Sequence, residues 1–208
     1  NEKIYLVNST VKTDLQFEKN DLAEMEELPQ IAVGNIKKVE ISRDNGVKTL
    51  QEEEAGGLWT LYKEDGSQIS VDTAKVNDYM NHFSSLSLMD FVSYDTNNLS
   101  SYGLDNPKKV TVFYEEEQES EDTSEEAEDE NAEEEEPVMV AKEFVLLVGN
   151  TDENGNYYVK TADSSYIYTM AASTVDEMMN LASDELVSSL VTDYSLADLD
   201  KVTIERTG

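Results

Sequence analysis

From residue 37 the chain alternates: Val39 and Ile41 fall on one side, Lys38 and Glu40 on the other, the two-residue period of a half-buried strand. Asp44-Asn45-Gly46 follows, a step that supplies the positive dihedrals of a tight hairpin. The pattern returns over 47–53, turns at Gly56-Gly57, and resumes over 58–63 with Trp59 and Leu61 on one face. Asp65-Gly66 marks the next turn, and Ile69 and Val71 can pair briefly beyond it. This predicts an antiparallel meander. At Asp72 the period changes: Val76, Tyr79, Met80, Phe83 and Leu86 trace one stripe of a helix of about four turns, capped by the Asp72 carboxylate. A sheet with one apolar face needs a cover, so the helix is expected to lie across the meander and bury Trp59.

The second half repeats this grammar. Residues 88–94 read as a strand and 97–107 as an irregular connector. Alternation returns over 109–114, with Val110 and Val112 opposed to Thr111 and Phe113, and a strand resumes over 138–148. Asn154-Gly155 turns the chain into 157–161; a strand at 166–170, a helix from 173 to 182, a short piece at 184–190 and a strand at 201–206 follow. At the other end, 3–7 reads as a strand, and 9–17 and 21–28 as helices too short to stand without a sheet.

Residues 36–44 have a close copy at 199–207, an offset of 163 positions, the difference between 199 and 36. Ile4-Tyr5 meets Ile167-Tyr168 at the same offset, so residues 3–45 echo 166–208. The expected organisation is a C-terminal part of one repeat at 1–34, a full repeat at 35–197 and the first strand of another at 198–208, packed as one compact domain. A fainter inner echo relates 37–41 to 108–112, each opening a run of strands that ends in a helix. The fold class is therefore α+β: antiparallel meanders covered by short helices, in repeated strand-strand-strand-helix units.

Charge changes the picture at one place. Of the 22 residues from 115 to 136, 15 are acidic and none is large and apolar. Such a stretch buries too little surface to offset its ordering entropy, so 115–137 is expected to be a disordered insertion at an overgrown hairpin tip. Loop closure tolerates this, each doubling of length costing about 0.6 kcal/mol. Over the whole 208 residues Asp and Glu outnumber Lys and Arg by 46 to 15, a net charge of -31 that repels nucleic acid and anionic membrane surfaces. The longest apolar run, 144–148, falls far short of the roughly 18 residues of a membrane span. Attachment to a membrane is expected only through a segment absent from this chain. There is no cysteine, which removes disulfides and thiolate chemistry.

Nor does any catalytic constellation emerge. His82 is the single histidine, at the flank of the helical stripe, where a partly exposed bystander is the ordinary case. No nucleophile elbow, phosphate cradle or histidine pair is present. The run 152–156 resembles a calcium loop, but its glycine stands fourth rather than sixth and no Glu stands twelfth, so it reads as a turn. Tyr157, Tyr158, Tyr166 and Tyr168 invite a carbohydrate platform, although adjacent strand residues face opposite ways. No catalytic, cofactor-binding or metal residue is assigned.

Tyr102-Gly103-Leu104-Asp105-Asn106-Pro107, Leu58-Trp59-Thr60-Leu61 and Val148-Gly149 leading into Tyr157-Tyr158-Val159 resemble the bacterial family known as domain of unknown function 4340 (DUF4340), over about 37–206. The resemblance implies an exported or membrane-anchored bacterial chain with the domain in tandem, some members accompanying ABC-transporter components of the gliding-motility type. It brings no activity, cofactor or ligand. The expectation is a non-catalytic extracytoplasmic module, a spacer or interaction domain with a protein partner in the cell envelope. The alternative is a receptor for a glycan or a divalent cation, using the tyrosine strands or the acidic loop.

Overall fold

A computed structural model describes residues 25–53, 57–94, 96–118 and 138–187. The first four strands, β1 (Ile36–Arg43), β2 (Gly46–Glu52), β3 (Trp59–Tyr62) and β4 (Gln68–Ser70), form the expected meander. Gly46, with φ 133°, makes the first turn. Helix α1 (Thr73–Met80) follows, with the Asp72 carboxylate accepting from the Ala74 and Lys75 amides. After β5 (Phe91–Ser93) come β6 (Lys108–Glu117), β7 (Met139–Thr151), β8 (Tyr157–Thr161) and β9 (Ile167–Met170), then α2 (Ala172–Met179) and α3 (Ser183–Leu186).

The nine strands of the described residues join one antiparallel sheet in the order β4-β3-β2-β1-β6-β7-β8-β9-β5. The expected antiparallel meanders thus share one sheet. β1 and β6, which carry the inner echo, lie side by side with Val39 opposite Val112 and Ile41 opposite Val110. One face of the sheet packs against the helices in a single apolar cluster holding Trp59, Leu61, Val76, Met80, Phe83, Phe144 and Met178.

Several expectations need correction. Helix α1 has eight residues and gives way at Asn81 to a 3-10 turn, Asn81–Phe83. Asparagine is a weak helix former, and a turn of three residues preserves the spacing from Met80 to Phe83. The stripe therefore holds: Val76, Tyr79, Met80, Phe83 and Leu86 are all buried. Helix α2 stops at Met179 rather than at 182, where Arg43 donates to the Met179 carbonyl and Lys48 Nζ to the Leu181 carbonyl at 3.1 Å. Thr111, read as lying opposite the apolar face, is also buried, because β6 runs through the middle of the sheet.

The acidic insertion does not begin at 115. Glu115, Glu116 and Glu117 belong to β6 and pair with Ala141, Val140 and Met139. Lys37 lies 3.6 Å from Glu115 and Lys142 3.7 Å from Glu116, which offsets part of their repulsion. Pairing of β6 with β7 is the hairpin expected on either side of the tract. Residues 119–137, the strands expected at 3–7 and 201–206, the helix at 9–17 and most of the one at 21–28 lie outside the described residues, and so does most of the 163-residue echo.

Candidate functional site

Where β1 ends at Arg43 and β8 begins at Tyr157, α2 crosses the sheet and leaves a groove of about 450 Å³. Arg43, Lys108, Tyr157, Asp176, Glu177 and Asn180 supply its polar lining, and Val175 and Met179 its apolar lining. The Tyr157 hydroxyl donates to Asp176 Oδ1 at 2.9 Å, and this bond to a carboxylate is the main reason its pKa is raised. Arg43 turns to the last carbonyl of α2, where the helix dipole favours a cation.

A second groove of about 400 Å³ lies on the far side of Glu177 and Asn180, lined also by Lys75, Asp78, Tyr79, His82 and Glu185. His82 sits in the 3-10 turn with its Nδ1 3.2 Å from Glu177 Oε2 and its ring edge-on to Tyr79 at 6.1 Å. Its side chain is partly exposed, as expected, but it has a partner that the sequence did not name. Tyr79 is buried and donates to the Met178 carbonyl at 2.7 Å; burial pushes its phenol far above the usual tyrosine range. These groups tie α1 and its 3-10 turn to α2 and fasten α2 to the sheet.

The tyrosine platform is divided. Tyr157 faces Asp176, Tyr158 packs edge-on against Tyr102 at 5.0 Å, and Tyr166 and Tyr168 lie elsewhere with Phe91. Phe91 in turn stacks on Tyr94, centroids 6.3 Å apart, and Tyr94 is 75% exposed. Sequence reading missed Phe91 and Tyr94 because the β5–β9 pairing that gathers them joins distant residues without any shared pattern. In the 152–156 run Asp152 Oδ1 accepts from the Asn154 and Asn156 amides, both at 2.8 Å, and Gly155 has φ 88°. Its carboxylate serves a turn. Among the described residues no group of three or more His, Asp or Glu is placed to hold a metal, and no helix is long and apolar enough to cross a membrane.

The Tyr102-Gly103-Leu104 connector and the Val148-Gly149 step touch. Gly103 has φ 68°, and a Cβ there would meet the Asn150 side chain at 2.5 Å. A Cβ on Gly149 would stand 2.1 Å from the Tyr102 carbonyl oxygen, and Leu104 is buried beside it. Two glycines thus let the connector lie directly on β7. The sequence profile described as Domain of unknown function (DUF4340) matches residues 1–107 and 67–208. The chain belongs to that family. In this DUF4340 member two of the stretches that carry the resemblance, the connector at 102–104 and the step at 148–149, form a packing contact between connector and sheet. No curated protein and no solved structure matches the chain.

Proposed function

We infer that this DUF4340 member is a non-catalytic, extracytoplasmic module of a bacterial envelope assembly, a spacer or protein-interaction domain. One observation carries the reading: Arg43 and Tyr157 of the first groove, Tyr79 of the second and Lys48 of the neighbouring β2 are committed to a joint. Arg43, Tyr79 and Lys48 donate to the carbonyls of Met179, Met178 and Leu181, and Tyr157 is held by Asp176. A general acid or base must instead face a substrate proton. The resemblance to exported and anchored chains supports the extracytoplasmic setting.

Two measurements test it. Intact cells making the full-length protein are treated with a membrane-impermeant amine label, and the exposed Lys142 is expected to react; labelling only after lysis would overturn the setting. Tyr157→Phe and Glu177→Gln are expected to lower stability in step with any loss of cellular function. Loss of function at unchanged stability would return the groove to chemistry.

The finer architecture belongs to the same proposal. Strands β1–β4 with α1, and β6–β9 with α2, are read as two copies of one unit meeting at the β1–β6 pair, with four strands where three were expected. Residues 1–34 and 198–208 are read as slices of neighbouring repeats. An experimental structure of a longer chain should superpose 3–45 on 166–208; unrelated shapes would refute the repeat. A second reading, glycan binding, is favoured by the exposed Tyr94 stacked on Phe91. It requires Tyr94→Ala to abolish retention on an immobilised polysaccharide.

A further inference from the structure

Strand β7 is far longer than its outer neighbour. It has 13 residues against the 5 of β8, and pairs with β8 only from Leu146 onward. Toward its start it continues alongside β6 as a two-stranded arm, past the Ile36–Tyr114 pair where β1 begins. The Gln118 amide donates to the Val138 carbonyl and the Ala162 amide to the Val145 carbonyl. Strand alternation between these two points turns the N–H and C=O groups of Met139, Ala141 and Glu143 away from β6. Among the described residues no strand takes them up. All three residues are exposed.

The side chains beside this edge select what it can accept. Met139, Ala141 and Glu143 stand opposite Glu117, Glu115 and Phe113, so one face of the arm carries three carboxylates among three small or apolar positions. A second copy of the chain would add the same three carboxylates to this face, and like charges gathered there repel. We propose that the open edge of β7 at residues 139–143 takes up an extended segment of a partner protein with lysine or arginine at alternate positions, by strand addition. Main-chain hydrogen bonds supply the affinity, and Glu115, Glu117 and Glu143 select the sequence. Identification as an interaction module underlies this assignment, which adds the element and the partner chemistry.

The probe is a blocked peptide of about eight residues alternating lysine and valine, strand-forming in length and composition. Controls alternate glutamate and valine, or carry the same lysines among prolines. Binding is followed by fluorescence anisotropy and by amide hydrogen exchange on the whole chain. The lysine–valine peptide is expected to slow exchange at Met139, Ala141 and Glu143 and to bind about tenfold more weakly at high salt than at low salt. Ala141→Pro removes an outward N–H without taking a bond from the β6–β7 ladder, and should abolish binding. Glu115→Lys with Glu143→Lys, the first half-buried beside Lys37 and the second exposed, should abolish it as well and switch preference to the glutamate peptide. Equal binding of the proline-spaced peptide, or binding untouched by Ala141→Pro and without protection of the three amides, would reduce the effect to general attraction by acidic chain and overturn the edge assignment. No binding would overturn it too. Either failure leaves the envelope reading to its own labelling test.

Discussion

A methyl group at Gly149 has nowhere to go: its carbon would meet the Tyr102 carbonyl oxygen at 2.1 Å, and backbone cannot yield as a side-chain tip does. Gly149→Ala is expected to cost about 1–3 kcal/mol in urea unfolding, the range for forced overpacking; an unchanged midpoint would refute the contact. Tyr79 tests the helix joint. Tyr79→Phe leaves the Met178 carbonyl without its donor and should cost about 1–3 kcal/mol. The same residue gives a pH dependence. Its folded pKa is raised by burial, so its contribution is complete below the unfolded value of about 10 and is lost as pH rises above it. The wild-type chain should lose stability in alkali more steeply than Tyr79→Phe. Asp72 was visible as a cap and the five residues of the stripe as core, since caps and periodicity are local signals. Gly149 as a contact was not, because its neighbour lies 47 positions away, the difference between 149 and 102.

Elements were legible where period and turn agreed. Asn45-Gly46 and Asn154-Gly155 mark hairpins, and β1, β2, β3 and β8 fall within a residue or two of the expected strands. Boundaries failed where tertiary pairing overrode composition: three glutamates read as disordered are strand because β7 lies alongside to complete their ladder. The arm also yields an element-scale prediction. With the Gln118 amide already 2.8 Å from the Val138 carbonyl, replacing 119–137 by Asn-Gly closes the hairpin directly. Shortening the loop should raise stability by about 1–2 kcal/mol. A fall in melting temperature would mean that the tract packs on the remainder of the chain. The candidate groove was scarcely legible at all, since Arg43, Tyr157 and Asp176 come from three elements whose meeting depends on strand order.

Across the whole molecule, charge and strand order matter most. At net charge -31 the folded chain repels itself, and raising salt from about 0.01 M to about 0.15 M shortens the screening length from about 30 Å to about 8 Å. The melting temperature should rise with sodium chloride; a fall would show that ion pairs such as Lys37–Glu52 dominate instead. Strand order was hidden because alternation says which face is buried and not which strand lies next door. The central position of β1 has a consequence for biosynthesis. As the polypeptide leaves the ribosome, β1 to β4 emerge first, and the inner border of β1 stays bare until Lys108 to Tyr114 have been translated. A nascent chain stalled in that interval would present an adhesive margin to its neighbours, so truncation before residue 108 should yield insoluble product, while truncation after 118 should recover the first half of the seam.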